Sequence, residues 1–554
     1  MNRSGKILIV AAMALVIALP FVLQRERTAP LGAKDRVVVI TPHTESIRQE
    51  FARGFEDWYE QRTGRTVYVD YRVIGGTSEI GKFLASEYLN SFRNHWENDL
   101  GREWTRTIQA AFSDDDIVPD DSPEDDTVAE AARRAFLTSD VSSGIDLFFG
   151  GGTYDFSVQA RRGTLVDAGL LERHPEWFQE TAPRGELPEA IPETLAGERY
   201  YDAEGRWYGA VLSSYGIIYN RDALRKLGIE EDPRQWADLA DPRLFGQVAV
   251  CDPTKSGSMT QAFEMILQQQ MQRLAEQGGS LAAGWRKGMR LIQLIAANAR
   301  YFTDTSQKPN IDVGMGDCAA GMSIDFYGRF QQENILERSG DDRFGFHTPK
   351  GGSTISVDPV GFLRGAPHPE TAQAFLEFVL SLEGQKLWNF EVGAPGGPEV
   401  YALRRPPIRP ELYTEKWNHY RSDAGFNPYE ASRDFTYHRE WTGRLFSELR
   451  TIIRICFIDV RKELVAAWAA ILEARAEGRM EAAEAAMAVF QDLDRISYEA
   501  AQGPIDAALS GPRIEEVRLA RELSGHFRDQ YLRAKAIAEG RLPVTAAEEP
   551  LPAS

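Results

Sequence analysis

Short runs of β-branched and aromatic residues alternate along the chain with longer stretches whose apolar positions recur every three or four residues, the pattern of strands feeding helices. Residues 36–40 are the first such run, and after 41–46 breaks it Ile47, Phe51, Phe55 and Trp58 share one helical face. Residues 67–73 give the next strand, with the glycine-bearing loop 74–79 before another helix start. A third strand at 145–149 runs into three glycines at 150–152 and a helix over 156–162. Residues 207–220 are too long and too evenly β-prone for a connection, which predicts a strand crossing between two lobes, with a short helix from Asp222 to near Gly228. Residues 247–251 predict a strand closed by Asp252 and Pro253, and Ser256, Gly257 and Ser258 start a helical run through Gln277. Beyond it come a helix over 285–299, a buried strand over 318–324, a return crossing through 344–349 and 353–362, and an amphipathic helix over 369–388.

Strands followed by loops and helices predict α/β sheets, in which ligands collect beyond the carboxyl ends of the strands. The candidates there are His43, Glu45, Thr77 and Ser78, then Gly151, Gly152 and Thr153. Ser213, Ser214 and Tyr215 stand in the crossing strand, and Asp325 and Tyr327 at the end of the strand over 318–324. Thr254, Ser256, Gly257 and Ser258 offer hydroxyl and backbone N–H donors at a helix start, a seat for an anion to which Lys255 adds a cation. A serine-capped turn without a ligand would have the same sequence, and the neighbouring glycine-bearing loops point toward the seat. None of these loops carries a phosphate-binding Gly-Lys-Ser/Thr or a dinucleotide fingerprint, which argues against ATP and NAD.

Composition narrows the picture. The chain has 554 residues, enough for several domains, and a net charge of −19 without a basic patch, which argues against nucleic acid. Arg3 and Lys6 precede an apolar run over 7–23, so the first 33 residues read as an export signal or an uncleaved membrane anchor, and the protein as extracytoplasmic. Between Glu97 and Asp126 eleven carboxylates face only Arg102 and Arg106, which reads as an acidic surface insertion over about 90–126. Cys251, Cys318 and Cys456 lack zinc spacing; Cys251 and Cys318 are the pair to test, with buried free thiols the plainer expectation. Ala- and Glu-rich helices are expected after residue 406, packed on one lobe, with a loose tail over 545–554.

The segments 37–45 (VVVITPHTE), 75–80 (GGTSEI), 146–152 (DLFFGGG), 207–220, 236–258, 321–330 (GMSIDFYGRF) and 370–388 occur in an order that resembles the solute-binding proteins of ABC importers. More narrowly, they are similar to the cluster that takes up iron(III), phosphonates, phosphosugars or polyamines, over about residues 36–388. The resemblance implies an α/β, type 2 periplasmic-binding-protein clamp of two lobes, each a mixed sheet flanked by helices, here with a C-terminal helical extension. It implies lobe 1 over 36–212, lobe 2 over 213–352, a return to lobe 1 over 353–405 and the extension over 406–554. It further implies capture of a small polar or anionic solute and delivery by a monomer to a membrane permease, without a cofactor. Iron(III) members present adjacent tyrosines in the second lobe, whereas here Phe326 precedes Tyr327 and the pair Tyr200 and Tyr201 lies before the crossing strand. His43, Glu45, Asp325 and Tyr327 would be the mixed set left for iron. An exported enzyme is the competing class, but none of the eight histidines stands beside a serine or cysteine in a catalytic motif. A membrane-anchored sensor using the same clamp is a further alternative.

Overall fold

The structure, a computed structural model, describes residues 35–120 and 122–548. The expected signal or anchor over 1–33 and the end of the C-terminal tail lie outside the described residues. Among the described residues, no helix is long and apolar enough to cross a membrane.

The first sheet gathers β1 (Asp35–Ile40), β2 (Val67–Arg72), β3 (Leu147–Phe149) and β4 (Leu165–Val166), with the connecting helices α1 (Glu45–Thr63), α2 (Thr77–Asn94) and α3 (Thr153–Arg162). β1 pairs in parallel with β2 and β3, which places the loops that follow all three strands at one edge. Next comes a small sheet the sequence pattern did not announce, β5 (Phe178–Thr181), β6 (Ile191–Leu195) and β7 (Glu198–Arg199). β8 (Trp207–Ser213) then returns to the first sheet, and β9 (Tyr215–Asn220) enters the second.

The second sheet has the order β11-β10-β12-β9-β13, from β10 (Val248–Cys251), β11 (Ala299–Thr303), β12 (Ala320–Ile324) and β13 (Phe344–His347). Its helices are α4 (Gly257–Glu276), α5 (Leu281–Asn298), α6 (Lys308–Met315) and α7 (Asp325–Ser339). β14 (Ser356–Leu363) goes back to the first sheet, pairing antiparallel with β3, β4 and β8. The 207–220 stretch is thus one extended run divided at Ser214, half in each sheet, and it forms the crossing between lobes.

The helix expected over 369–388 is two, α8 (Pro369–Leu380) and α9 (Leu382–Asn389). Ser381 is extended, with ψ 162°, and its hydroxyl accepts the Gly384 N–H at 3.2 Å, so a side-chain cap breaks a continuous apolar stripe. Both helices pack on lobe 1, where Phe51 lies 4.4 Å from the Trp388 ring. The acidic insertion is held by an apolar underside: Phe92 stacks on Phe112 at 5.1 Å while Trp96 is buried beside them.

The C-terminal region is not one appendage. Residues up to Tyr429 pack into the lobe 1 core, beyond the boundary expected at 405. From Phe435 on, α10 (Phe446–Ile453), α11 (Arg461–Ala476), α12 (Met480–Phe490) and α13 (Arg513–Ala538) share one core with lobe 2. Polar ties seal that union: the Trp468 indole N–H donates to Asn298 Oδ1 at 2.9 Å and that of Trp285 to the Ile496 carbonyl at 3.0 Å. The start of the expected tail is a short helical turn, Val544–Glu548, with Ala546 buried. Cys251, Cys318 and Cys456 are all free and buried.

Candidate functional site

A cleft of about 540 Å³ opens between the lobes at the carboxyl ends of β1, β2 and β3 on one side and β10 and β11 on the other. His43 and Thr44 line it before α1, Gly76 and Thr77 at the start of α2, and Gly151 before α3. Lobe 2 supplies Lys255, Ser256, Gly257 and Ser258 at the start of α4, and Asp304 to Gln307 before α6. Helix starts present unpaired N–H groups and the positive end of the helix dipole. No side chain caps α1, α2 or α3; at α4 the Ser256 hydroxyl accepts the Met259 N–H at 3.3 Å.

The lobes approach closely here. A Cβ on Gly76 would stand 3.1 Å from the Lys255 carbonyl oxygen, and one on Gly257 would stand 3.0 Å from Asp155 Oδ2 across the gap. Gly151 has φ +125°, a conformation that favours glycine, and its missing Cβ leaves room for the Thr77 methyl.

The cleft floor carries charges that the sequence reading missed. Asp358 sits on β14 beside an irregularity in its pairing with β8, where Pro359 has no N–H to give the ladder. Its Oδ2 accepts from Arg405 Nη2 at 2.6 Å and lies 3.8 Å from His43 Nε2. Burial opposes the Asp358 charge, but Arg405 and His43 outweigh it and hold the carboxyl below its usual range. Burial also lowers the His43 pKa, against the pull of Asp358, and neither ring nitrogen makes a hydrogen bond. The Arg405 guanidinium lies 4.1 Å from the Phe326 ring, with its Nε and Nη1 unpartnered. Tyr327 lines the cleft with its phenol pushed up to about 12 by burial.

Of the expected site residues, His43, Thr77, Gly151, Ser256, Gly257, Ser258 and Tyr327 line this cleft together. The others stand elsewhere, for identifiable reasons. Glu45 is exposed in the first turn of α1. Ser78 points its hydroxyl inward, buried and unpartnered. Gly152 is the N-cap of α3, and Thr153 faces a different cavity. The Thr254 hydroxyl and N–H both donate to Asp252 Oδ1 at 2.8 Å, closing the turn after β10.

Ser213, Ser214, Tyr215 and Asp325 form the crossing instead of the cleft wall. Asp325 is fully buried and accepts from Ser213 Oγ at 3.4 Å, Ser214 Oγ at 3.2 Å and the Phe326 N–H at 2.8 Å. The Tyr215 N–H donates to Ser353 Oγ and its phenol to Gln261 Oε1, both at 2.8 Å. The set of His43, Glu45, Asp325 and Tyr327 is therefore not assembled, and among the described residues no group of three or more His, Cys, Asp or Glu is placed to hold a metal ion. Tyr200 and Tyr201 are buried in lobe 1, where the Tyr200 phenol donates to the Ile355 carbonyl at 3.1 Å.

Two lobes joined by crossing strands, with helix starts converging on the gap, have the geometry of a hinged clamp. Residues 141–408, just under half of the chain, match the family described as bacterial extracellular solute-binding protein. The chain is 29% identical over 259 residues to "Iron uptake protein A2" of Synechocystis, covering 45% of this chain and 66% of the relative. It is 25% identical over 227 residues to "Phosphoglycerate transport regulatory protein PgtC" of Salmonella typhimurium, covering 40% of this chain and 50% of the relative. The chain thus spans about half to two thirds of the length of these relatives. Among solved structures it is similar to the periplasmic binding protein AfuA of Actinobacillus pleuropneumoniae with fructose-6-phosphate, with TM-score 0.38 and 19% identity over 64% of this chain and 81% of that one.

Proposed function

We propose that the chain captures a small anionic solute, phosphorylated or carboxylate-bearing, in the inter-lobe cleft and presents the closed clamp to an ABC-type permease. The observation that carries this reading is the convergence of the starts of α1 and α2 from lobe 1 and of α4 from lobe 2, with Gly151 of the loop before α3, on one cleft that also holds Lys255. Each start favours a negative charge, and a ligand touching both lobes stabilises closure by its differential affinity for the closed state. The ligand contacts in this proposal are His43, Thr77, Gly151, Lys255, Ser256, Gly257, Ser258 and Tyr327, with Asp358 and Arg405 fixing the floor. A paired Asp358 tolerates a nearby anion because Arg405 balances it.

Names among the relatives support a second reading, iron(III), since one is "Iron uptake protein A2" and another the "Fe(3+)-binding periplasmic protein" of Serratia marcescens. Tyr327, Glu79, Asp304 and Asp358 are the phenol and carboxylate oxygen donors on the cleft for that case. A thermal-shift screen of the purified chain separates the two. Ligand at about a hundred times its dissociation constant adds roughly 2.7 kcal/mol. Phosphorylated solutes should raise Tm, and the rise should vanish in the Ser256→Ala/Ser258→Ala variant. A rise with iron(III)-citrate alone, lost in Tyr327→Phe, would replace the anion reading with the metal one.

A further inference from the structure

A second cavity of about 900 Å³ opens where α3 and the small sheet of lobe 1, α4 of lobe 2, and residues 437–446 meet, and it shares no lining residue with the ligand cleft. The C-terminal segment bridges the lobes at this point. Tyr154 stacks on Phe446 at 4.4 Å between centroids, with its phenol 2.9 Å from Ser447 Oγ, and the Tyr437 N–H donates to the Ala196 carbonyl at 2.8 Å.

Two carboxylates form the floor. Glu198 is 3% exposed and its Oε1 accepts from Gln261 Nε2 at 2.9 Å. Glu264 is 1% exposed and its Oε1 accepts from the Tyr437 phenol at 2.9 Å and the Thr442 hydroxyl at 2.6 Å. All of these partners are neutral. Burial, and for Glu198 also the neighbouring Glu264, pushes the two carboxyls up to about 8 and about 7. The hydrogen bonds to both acids come from neutral donors, and Arg439 acts on Glu198 only through space, so the pair is left without a directly bonded counter-charge. The walls are aromatic, from Tyr154, Tyr437, Phe446 and Trp207, and such faces attract ammonium ions. Toward the mouth the sign reverses: Arg161, Arg199, Arg439 and Arg444 line it with Glu440.

We propose that this cavity is a second binding site, for a small zwitterion of the α-amino-acid class, with its ammonium group between Glu198 and Glu264 and its carboxylate at Arg439 and Arg444. The aromatic walls accommodate the side chain, and the reversal of charge from floor to mouth selects a ligand carrying both signs over a simple amine or a simple acid.

The test is isothermal titration of the full chain with the standard α-amino acids one at a time, followed for the tightest binder by its decarboxylated amine and its deaminated acid. The amino acid should bind, and each counterpart at least about tenfold more weakly. Near pH 6 the binding heat should change with the ionisation enthalpy of the buffer, because both carboxyls must shed protons to meet the ammonium. Glu264→Gln keeps an acceptor for Tyr437 and Thr442 and should weaken binding at least about tenfold, whereas Arg439→Ala should weaken the amino acid but not the amine. Arg439 is exposed, so its variant decides the matter if Glu264→Gln does not fold. Absence of binding by every amino acid would overturn the proposal, as would binding unchanged in both Glu264→Gln and Glu198→Gln. Binding abolished by Ser256→Ala/Ser258→Ala would assign the ligand to the inter-lobe cleft instead and equally overturn it.

Discussion

The inter-lobe cleft and the cavity beside residues 437–446 lie one to two turns apart along the same helix, α4, yet they treat buried charge in opposite ways. At the cleft, Ser256 to Ser258 begin the helix, and the partly buried acid Asp358 has its cation in Arg405. Further along, Gln261 and Glu264 face a cavity whose two buried acids have only neutral donors. The cleft therefore sets helix-start donors beside a floor acid that has its cation, and the second cavity has a floor of acids with no ion-paired cation. Acidity should separate them. Asp358 and His43 both have lowered pKa values, so their contribution to stability is present near neutrality and is lost as pH falls, for His43 through the window just below 6.5 and for Asp358 through its lowered value. Glu198 and Glu264 are raised, so the folded state holds protons the unfolded state has released, and stability falls as pH rises from about 4.5 to about 8.

The comparison is broken most forcefully at Arg405. Arg405→Leu leaves the partly buried Asp358 without its cation and should cost about 3 kcal/mol, the low end for a buried pair, by chemical denaturation, with partial recovery on adding Asp358→Asn. A cost no larger in the single variant than in the double would contradict the pairing. Next in size, Gly257→Leu forces a side chain into the contact with Asp155 and should hold the lobes apart, weakening cleft ligands by about a hundredfold, or about 2.7 kcal/mol, and increasing the radius of gyration by small-angle scattering. Glu264→Gln should raise stability at pH 8 by on the order of 2 kcal/mol and have little effect at pH 4, since it removes an acid the fold prefers protonated. Equal effects at both pH values would show that Glu264 is not titrating. Smallest, Ser256→Ala removes the only side-chain cap among these four helix starts and should cost about 1 kcal/mol in thermal unfolding.

Much of this arrangement is legible in the residues. Runs such as 36–40 and 247–251 carry the β-branched density of buried parallel strands, and the division of 207–220 between two sheets follows from its length. Side-chain direction is what the sequence conceals. Ser213, Ser214 and Asp325 look like ligand contacts because serines and an acid at strand ends usually face solvent, but here they satisfy one another inside the crossing. Asp358 escaped notice as one acid in a β-rich return strand, and Arg405 because it reaches the floor from a loop with no periodic pattern, beyond the end of α9. The 369–388 stripe reads as one helix because Ser381 costs little in periodicity while its hydroxyl ends the hydrogen-bonded run. The merging of α10 to α13 with lobe 2 depends on contacts between segments some 170 to 210 residues apart, such as Trp468 with Asn298, which no local pattern encodes.

The central claim is that the cleft selects negative charge through helix starts from both lobes. The most direct measurement is isothermal titration of the chain with a sugar phosphate that shifts Tm and with the same sugar lacking its phosphate, in wild type and in Ser256→Ala/Ser258→Ala. The account predicts that removing the phosphate weakens binding at least about a hundredfold in wild type and by much less in the variant. Equal affinity for the two sugars, or an identical preference in both proteins, would contradict it.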